Sequence, residues 1–192
     1  MRKSILFVSL VSILIGVLAV GAASAYTLED VVVENWSGSG GNAALLVVDF
    51  WAGNGASDSF AFGCSFGDDS LTGMQMLDVL HAADNGLTYA QSGGFVSDIW
   101  YDTGAQVYHT TYSWPDSWWG YCTSDDLGET WTPSMVGLGD RVLGDGDCDG
   151  WVAADSSNWT PIPTTPVVPE PASILCVLPG LAALMGLAKR RQ

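Results

Sequence analysis

Apolar positions fall into three regimes along the chain. From Ile5 to about Val20 they run almost unbroken behind Arg2 and Lys3, and from Ala172 to Ala188 they do so again ahead of Lys189, Arg190 and Arg191. Between these ends they come in short bursts separated by Gly, Ser, Asn, Asp and Pro. Val31–Val33 predicts a first strand, and Ser37–Gly41 a turn after it. Ala43–Trp51 carries Leu45-Leu46-Val47-Val48 without alternation, which predicts a central strand covered on both faces. The stretch "SFAFGCSF" alternates, with Phe60, Phe62, Cys64 and Phe66 on one side, and predicts a half-buried strand.

The period changes once. Leu71, Met74, Leu77 and Leu80 recur at helical spacing, Thr72 and Gln75 fit a capping box, Asp68 and Asp69 favour the N-terminus, and Asn85-Gly86 supplies a stop. Short strands are then expected at Gly94–Trp100, Gln106–Tyr112, Trp118–Thr123, Trp131, Arg141–Leu143 and Trp151–Ala154. The Pro/Thr-rich run "NWTPIPTTPVV" reads as an extended, unstructured linker. No repeat of propeller or solenoid length is visible. The expected fold is α+β and β-rich: a single domain over residues 26–157, one helix packed on a mostly antiparallel sheet, then a linker over 158–168.

The two apolar ends change the picture from a plain domain to an exported one. A basic start, an apolar run and Ala23-Ser24-Ala25 before Tyr26 form the layout of a signal peptide over residues 1–25, cut between Ala25 and Tyr26. As a helix, Ala172–Ala188 would rise about 25 Å, enough to cross a bilayer core, with the terminal cations on the cytoplasmic side. Pro169 and Pro171 keep the stretch before it stiff and extended.

Pro169-Glu170-Pro171, the apolar helix and the closing Lys189, Arg190 and Arg191 together resemble the PEP-CTERM sorting signal, here over residues 169–192. The resemblance implies two processing partners, signal peptidase and an exosortase-type enzyme. It also implies a transient inner-membrane intermediate, followed by release or attachment at the cell surface or beyond. The stretches "NWSGSGGNAALLVVDFWAG", "WWGYCTSDDLGETW" and "DRVLGDGDCDGW" resemble an uncharacterised domain of such exported proteins. The order helix, "GGFV", "WWGY", "GLGDRVLGDGD" over residues 72–151 also resembles the β-grasp-like C-terminal domain of transcobalamin, which implies a β-grasp-like fold and a corrinoid-like ligand.

Charge narrows the partners. Of 21 acidic residues all but Glu170 lie between Glu29 and Asp155, so 20 carboxylates face a single cation there, Arg141. A chain without a basic footprint is a poor partner for nucleic acid or for an anionic membrane surface. The only membrane contact expected is the transient one through the tail.

Three groups of residues remain as candidate chemistry. "YSWPDSWWGY" places Trp114, Trp118 and Trp119 in one aromatic cluster, a candidate platform for a sugar ring or a corrin-like macrocycle; at least one of Trp118 and Trp119 should be core, because neighbours on a strand face opposite ways. Asp145, Asp147 and Asp149 alternate before Gly150 as in the first half of an EF-hand loop and are candidate ligands for Ca²⁺; Ser156 stands where the loop's closing Glu would be. The alternative there is an Asp-Gly turn balanced by Arg141. The exported cysteines Cys64, Cys122 and Cys148 are odd in number, and Cys122 with Cys148 is the expected disulfide because both fall in neighbouring predicted strands or turns near the end of the domain.

"SDDLGETW" resembles the Asp-box of sialidase-type propellers, a structural hairpin rather than a catalytic element. His81 and His109 have no metal or catalytic spacing, and the sequence between the two ends holds no Lys for Schiff-base chemistry. No catalytic residue is expected. The leading reading is a non-catalytic structural or interaction protein of the cell surface or extracellular polymer matrix, with extracellular polysaccharide as a partner. The alternative is a secreted binding module for a glycan or a corrinoid-like ligand.

Overall fold

A computed structural model describes residues 26–52, 58–67, 70–83, 85–93 and 95–168. The expected signal peptide, Asp68 and Asp69, and the whole of 169–192 lie outside them. Among the described residues no helix is long and apolar enough to cross a membrane.

Among the described residues the fold is β-rich, with one α-helix and two sheets. The larger sheet has the order β1 (Val33–Gly38), β3 (Ser59–Phe66), β2 (Asn42–Asp49), β9 (Cys148–Ala154), β7 (Trp118–Ser124) and β8 (Thr132–Pro133). β2 pairs antiparallel with β3 and parallel with β9; β1 with β3 is also parallel, so the sheet is mixed. β4 (Leu87–Ser92), β5 (Phe95–Asp102) and β6 (Val107–His109) form a separate antiparallel meander.

β2 is central, and the reason is in its sequence. Leu46 and Val48 face the main core, while Leu45 and Val47 face a second, smaller cluster with Val31, Ala61 and Cys148. A strand without alternation needs cover on both sides, and here it has it. Helix α1 (Gly73–Ala82) covers the first face with Met76, Leu77 and Leu80, packed in one cluster with Phe62, Leu46 and Val48. Its start is the expected capping box: Gln75 N–H donates to Thr72 Oγ1, and Thr72 N–H to Gln75 Oε1 at 2.8 Å.

Several elements differ from the sequence expectation. β1 begins at Val33 and runs through Ser37-Gly38, into the expected turn, because β3 offers it a parallel edge. β3 is buried on both faces rather than one; its small residues let Trp36 lie directly over Gly63. Arg141–Leu143 forms no strand and contributes only a Val142–Thr72 bridge.

The largest difference concerns residues 158–168. Instead of a loose linker they form an extended strap across the second face of the large sheet. Pro161, Pro163 and Pro166 are buried. Cys122 Sγ donates to the Pro161 carbonyl, Thr164 N–H to Asp49 Oδ2 at 3.0 Å, Ser59 Oγ to the Thr164 carbonyl, and Trp131 Nε1 to Thr165 Oγ1 at 3.0 Å. Farther on, Val32 N–H donates to Pro166 O and Val168 N–H to Asp30 O, both at 2.8 Å. Proline lacks an N–H and is suited to such an edge-on cover, where few donors need partners. Gly150 makes room for it: a β-carbon there would sit 2.7 Å from Pro163 and 2.6 Å from the Trp131 ring.

The Asp-box residues hold the strap's far wall. Ser124 Oγ donates to Asp126 Oδ1 and accepts from Gly128 N–H, and Thr130 donates to Asp126 through both its N–H and its hydroxyl. Leu127 and Gly128 complete the turn at φ 59° and 84°. Burial pushes the Asp126 carboxyl up, but these donors outweigh it and hold it below the usual carboxylate range. Replacing Asp126 with Ala is expected to cost about 1–2 kcal/mol in urea unfolding, with the loosened Trp131 reported by its fluorescence.

Candidate functional site: an uncharged aromatic groove at a sheet edge

β8 pairs with β7 only at Cys122 and Thr123, so the outer side of Trp118–Tyr121 has no neighbouring strand among the described residues. A groove of about 410 Å³ lies along that stretch. Trp118, Trp159, Pro161, Phe95, Val136 and Leu138 line it, with Pro161 over Gly120 on the strap face and Leu138 in the main core cluster. Trp159 and Phe95 are each 65% exposed, and Val136 is half exposed. Exposed apolar residues gathered around one concavity mark a binding surface more than scattered ones do. None of the residues lining the groove is charged, although the body carries 20 carboxylates.

The three expected ligand-binding tryptophans separate. Trp119 is core: it is buried, packs edge-on to Phe50 at 5.8 Å and donates Nε1 to Thr110 O at 3.1 Å. Trp118 is half-buried on the groove, its Nε1 donating to Asp155 O. Trp114 lies outside the groove lining, half exposed, with its ring 5.2 Å from that of Trp159. Trp159, set in the expected linker, was the residue missed. Its only signal in the sequence is an aromatic residue inside a Pro/Thr run, which solvation alone does not explain.

Beneath the groove lies a buried polar cluster. Asp149 is fully buried on β9 beside Tyr121, and Arg141 approaches it with Nε 3.6 Å from Oδ1. The same guanidinium meets Asp147 at 3.0 Å through Nη2. Neither Asp149 oxygen makes a hydrogen bond of good geometry, and the Tyr121 hydroxyl and Trp151 Nε1 are likewise without one. Burial pushes the Asp149 carboxyl up to about 6, against the opposing pull of Tyr121 and Arg141. Tyr121 is raised as well, by burial and by the neighbouring Asp149. Gly73, at the start of α1, leaves the space the Asp149 carboxylate fills.

The alternating acids do not converge. Asp145 Oδ1 accepts from Ala43 N–H at 2.9 Å, Asp147 Oδ2 accepts from Gly144 N–H at 2.8 Å, and Asp149 points into the core. Asp147 closes a turn, and Asp147 and Asp149 both face Arg141. Among the described residues no cluster of His, Cys, Asp and Glu is arranged to hold a metal.

Cys64, Cys122 and Cys148 are all free and buried, so the expected Cys122–Cys148 disulfide is not formed. Cys122 stands opposite Gly150 and Cys148 opposite Ser124, a diagonal pair two positions out of register. Diagonal neighbours lie about 7–8 Å apart, beyond the usual reach of a disulfide. Burial pushes the Cys122 thiol up to about 11 and Cys148 to about 12. Iodoacetamide is therefore expected to modify these thiols only after unfolding, without any reductant; a recovered disulfide-linked peptide would contradict this.

Comparison with family models, with curated proteins and with solved structures returned no match.

Proposed function

We propose that this chain is an exported, non-catalytic interaction protein of the cell surface or extracellular polymer matrix, holding an uncharged partner in the aromatic groove. The groove carries the reading. A body of 20 carboxylates and one Arg selects against anionic ligands, and the groove lining offers no carboxylate to pair with a cation, which favours a neutral ligand. The export half is supported by the Ala23–Ala25 cleavage pattern and by Pro169-Glu170-Pro171 with its apolar and basic tail. Signal peptidase and an exosortase-type enzyme would process the two ends, with a membrane-held intermediate between. The helix on a mixed sheet is compatible with a β-grasp-like relationship, to which the β4–β6 meander would be an addition.

Intact-mass measurement of protein recovered outside the cells tests the export. The expected species begins at Tyr26 and lacks the apolar tail; a chain running from Met1 or through Gln192 would overturn it.

A further inference from the structure

We infer that the open edge of β7 at Trp118–Tyr121 is a strand-addition site, which takes an extended, uncharged polypeptide segment as an extra strand of the large sheet. The inference rests on the groove being the contact site proposed above, and it names the partner's chemistry. Ser117 N–H donates to Ser113 O, and Tyr121 O accepts from Ser134 N–H at 2.9 Å, both on the side away from β9. Backbone groups alternate sides along a strand, so Trp119, midway between, directs its N–H and C=O to that same outer side. β8 stops at Thr132–Pro133 and leaves this stretch without a strand.

Edges of this kind are usually blunted by charge, Pro, a bulge or a covering segment. Trp118–Tyr121 carries no charge and no Pro, and its pairing with β9 runs in register without a bulge. The walls have the form an added strand needs. Successive side chains of a strand point to opposite faces; of the lining residues, Pro161 lies over Gly120 on the strap face and Leu138 packs in the main core cluster on the other. Main-chain bonds to Trp119 would give affinity, and the two apolar walls would select alternate small or apolar side chains. Charge decides between occupants. A second copy of this chain would bring another 20 carboxylates and one Arg, whereas an uncharged segment meets no repulsion in a groove without charged lining.

The test uses the full chain and a pool of acetylated, amidated hexapeptides built from Val, Ile, Thr, Ser and Tyr. A matched pool N-methylated at alternate residues and the neutral sugar cellohexaose serve as comparison probes. The plain pool is expected to bind and to slow amide exchange at Trp119 and Tyr121. Alternate N-methylation is expected to weaken binding about tenfold or more, since it removes main-chain donors and keeps the side chains. Trp159→Ala, on an exposed side chain, is expected to weaken it about fivefold. Equal affinity for the methylated pool, or no peptide binding at all, overturns strand addition. Binding of cellohexaose in place of peptide overturns it too, while leaving the groove as the contact site. If, in addition, Trp159→Ala leaves retention on the cell surface unchanged, the groove reading falls with it.

Discussion

A chain ending at Ser157 is expected to lose cooperative unfolding, or to retain it with a stability lower by roughly 5 kcal/mol or more, when urea curves are compared with those of a chain ending at Val168. The deleted strap supplies main-chain bonds to Val32 and Asp30, the Thr164 N–H to Asp49, and acceptors for Ser59, Cys122 and Trp131. Each such bond contributes about 1 kcal/mol net, and stripping three buried prolines from the sheet returns apolar area to water on both sides. Asp49 makes the loss steeper. It is fully buried, burial already pushes its carboxyl up, and Thr164 is one of the two backbone donors that oppose that shift. The total approaches the whole stability of a small domain. Two overlapping urea curves would show that the strap is a passive linker after all.

Replacing Arg141 with Met is expected to cost about 3–5 kcal/mol at pH 7 and much less near pH 4.5. Among the described residues Arg141 is the only Lys or Arg, and its removal leaves the buried Asp149 carboxylate without compensation. The pH dependence follows from the direction of the shift. Asp149 is raised from 3.8 to about 6 in the folded state, so folding favours the protonated form. Its contribution to stability is complete below 3.8 and is lost as pH rises toward and through 6. The amount at stake is on the order of 2–3 kcal/mol. Asp49, also raised by burial, acts in the same direction. Wild-type protein should therefore melt higher at pH 5 than at pH 7.5, and Asp149→Asn should flatten that difference while raising the melting temperature at pH 7.5. A melting temperature that falls between pH 7.5 and 5 in wild type would contradict this assignment.

These two sites also show what the sequence could and could not disclose. The central strand was legible because four consecutive apolar residues, Leu45 to Val48, demand cover on two faces, and the helix because Leu71, Met74, Leu77 and Leu80 recur at helical spacing around a Thr72–Gln75 cap, although its buried methionine is Met76 and Leu71 lies ahead of it. What covers the second face was not legible. Composition reads the Pro/Thr run as solvated, and its bonds to Asp49 and Ser59 span more than 100 residues of sequence, a separation no local pattern carries. β1 was placed too early for a similar reason, since Ser37 and Gly38 are poor strand residues held by the edge of β3. Trp118 is half-buried, and Trp159 joins it in the groove lining only because the strap carries it there. The cysteine pair failed on register, which spacing along a chain does not fix.

The groove's role outside the cell is best tested by where the mature protein is found when Trp159 and Trp118 are both replaced by Ser. The wild-type protein is expected in the cell-associated polymer fraction and the variant, still unfolding cooperatively though at a lower melting temperature, in the medium. Equal retention of the two would contradict the proposal that this surface holds the protein in place.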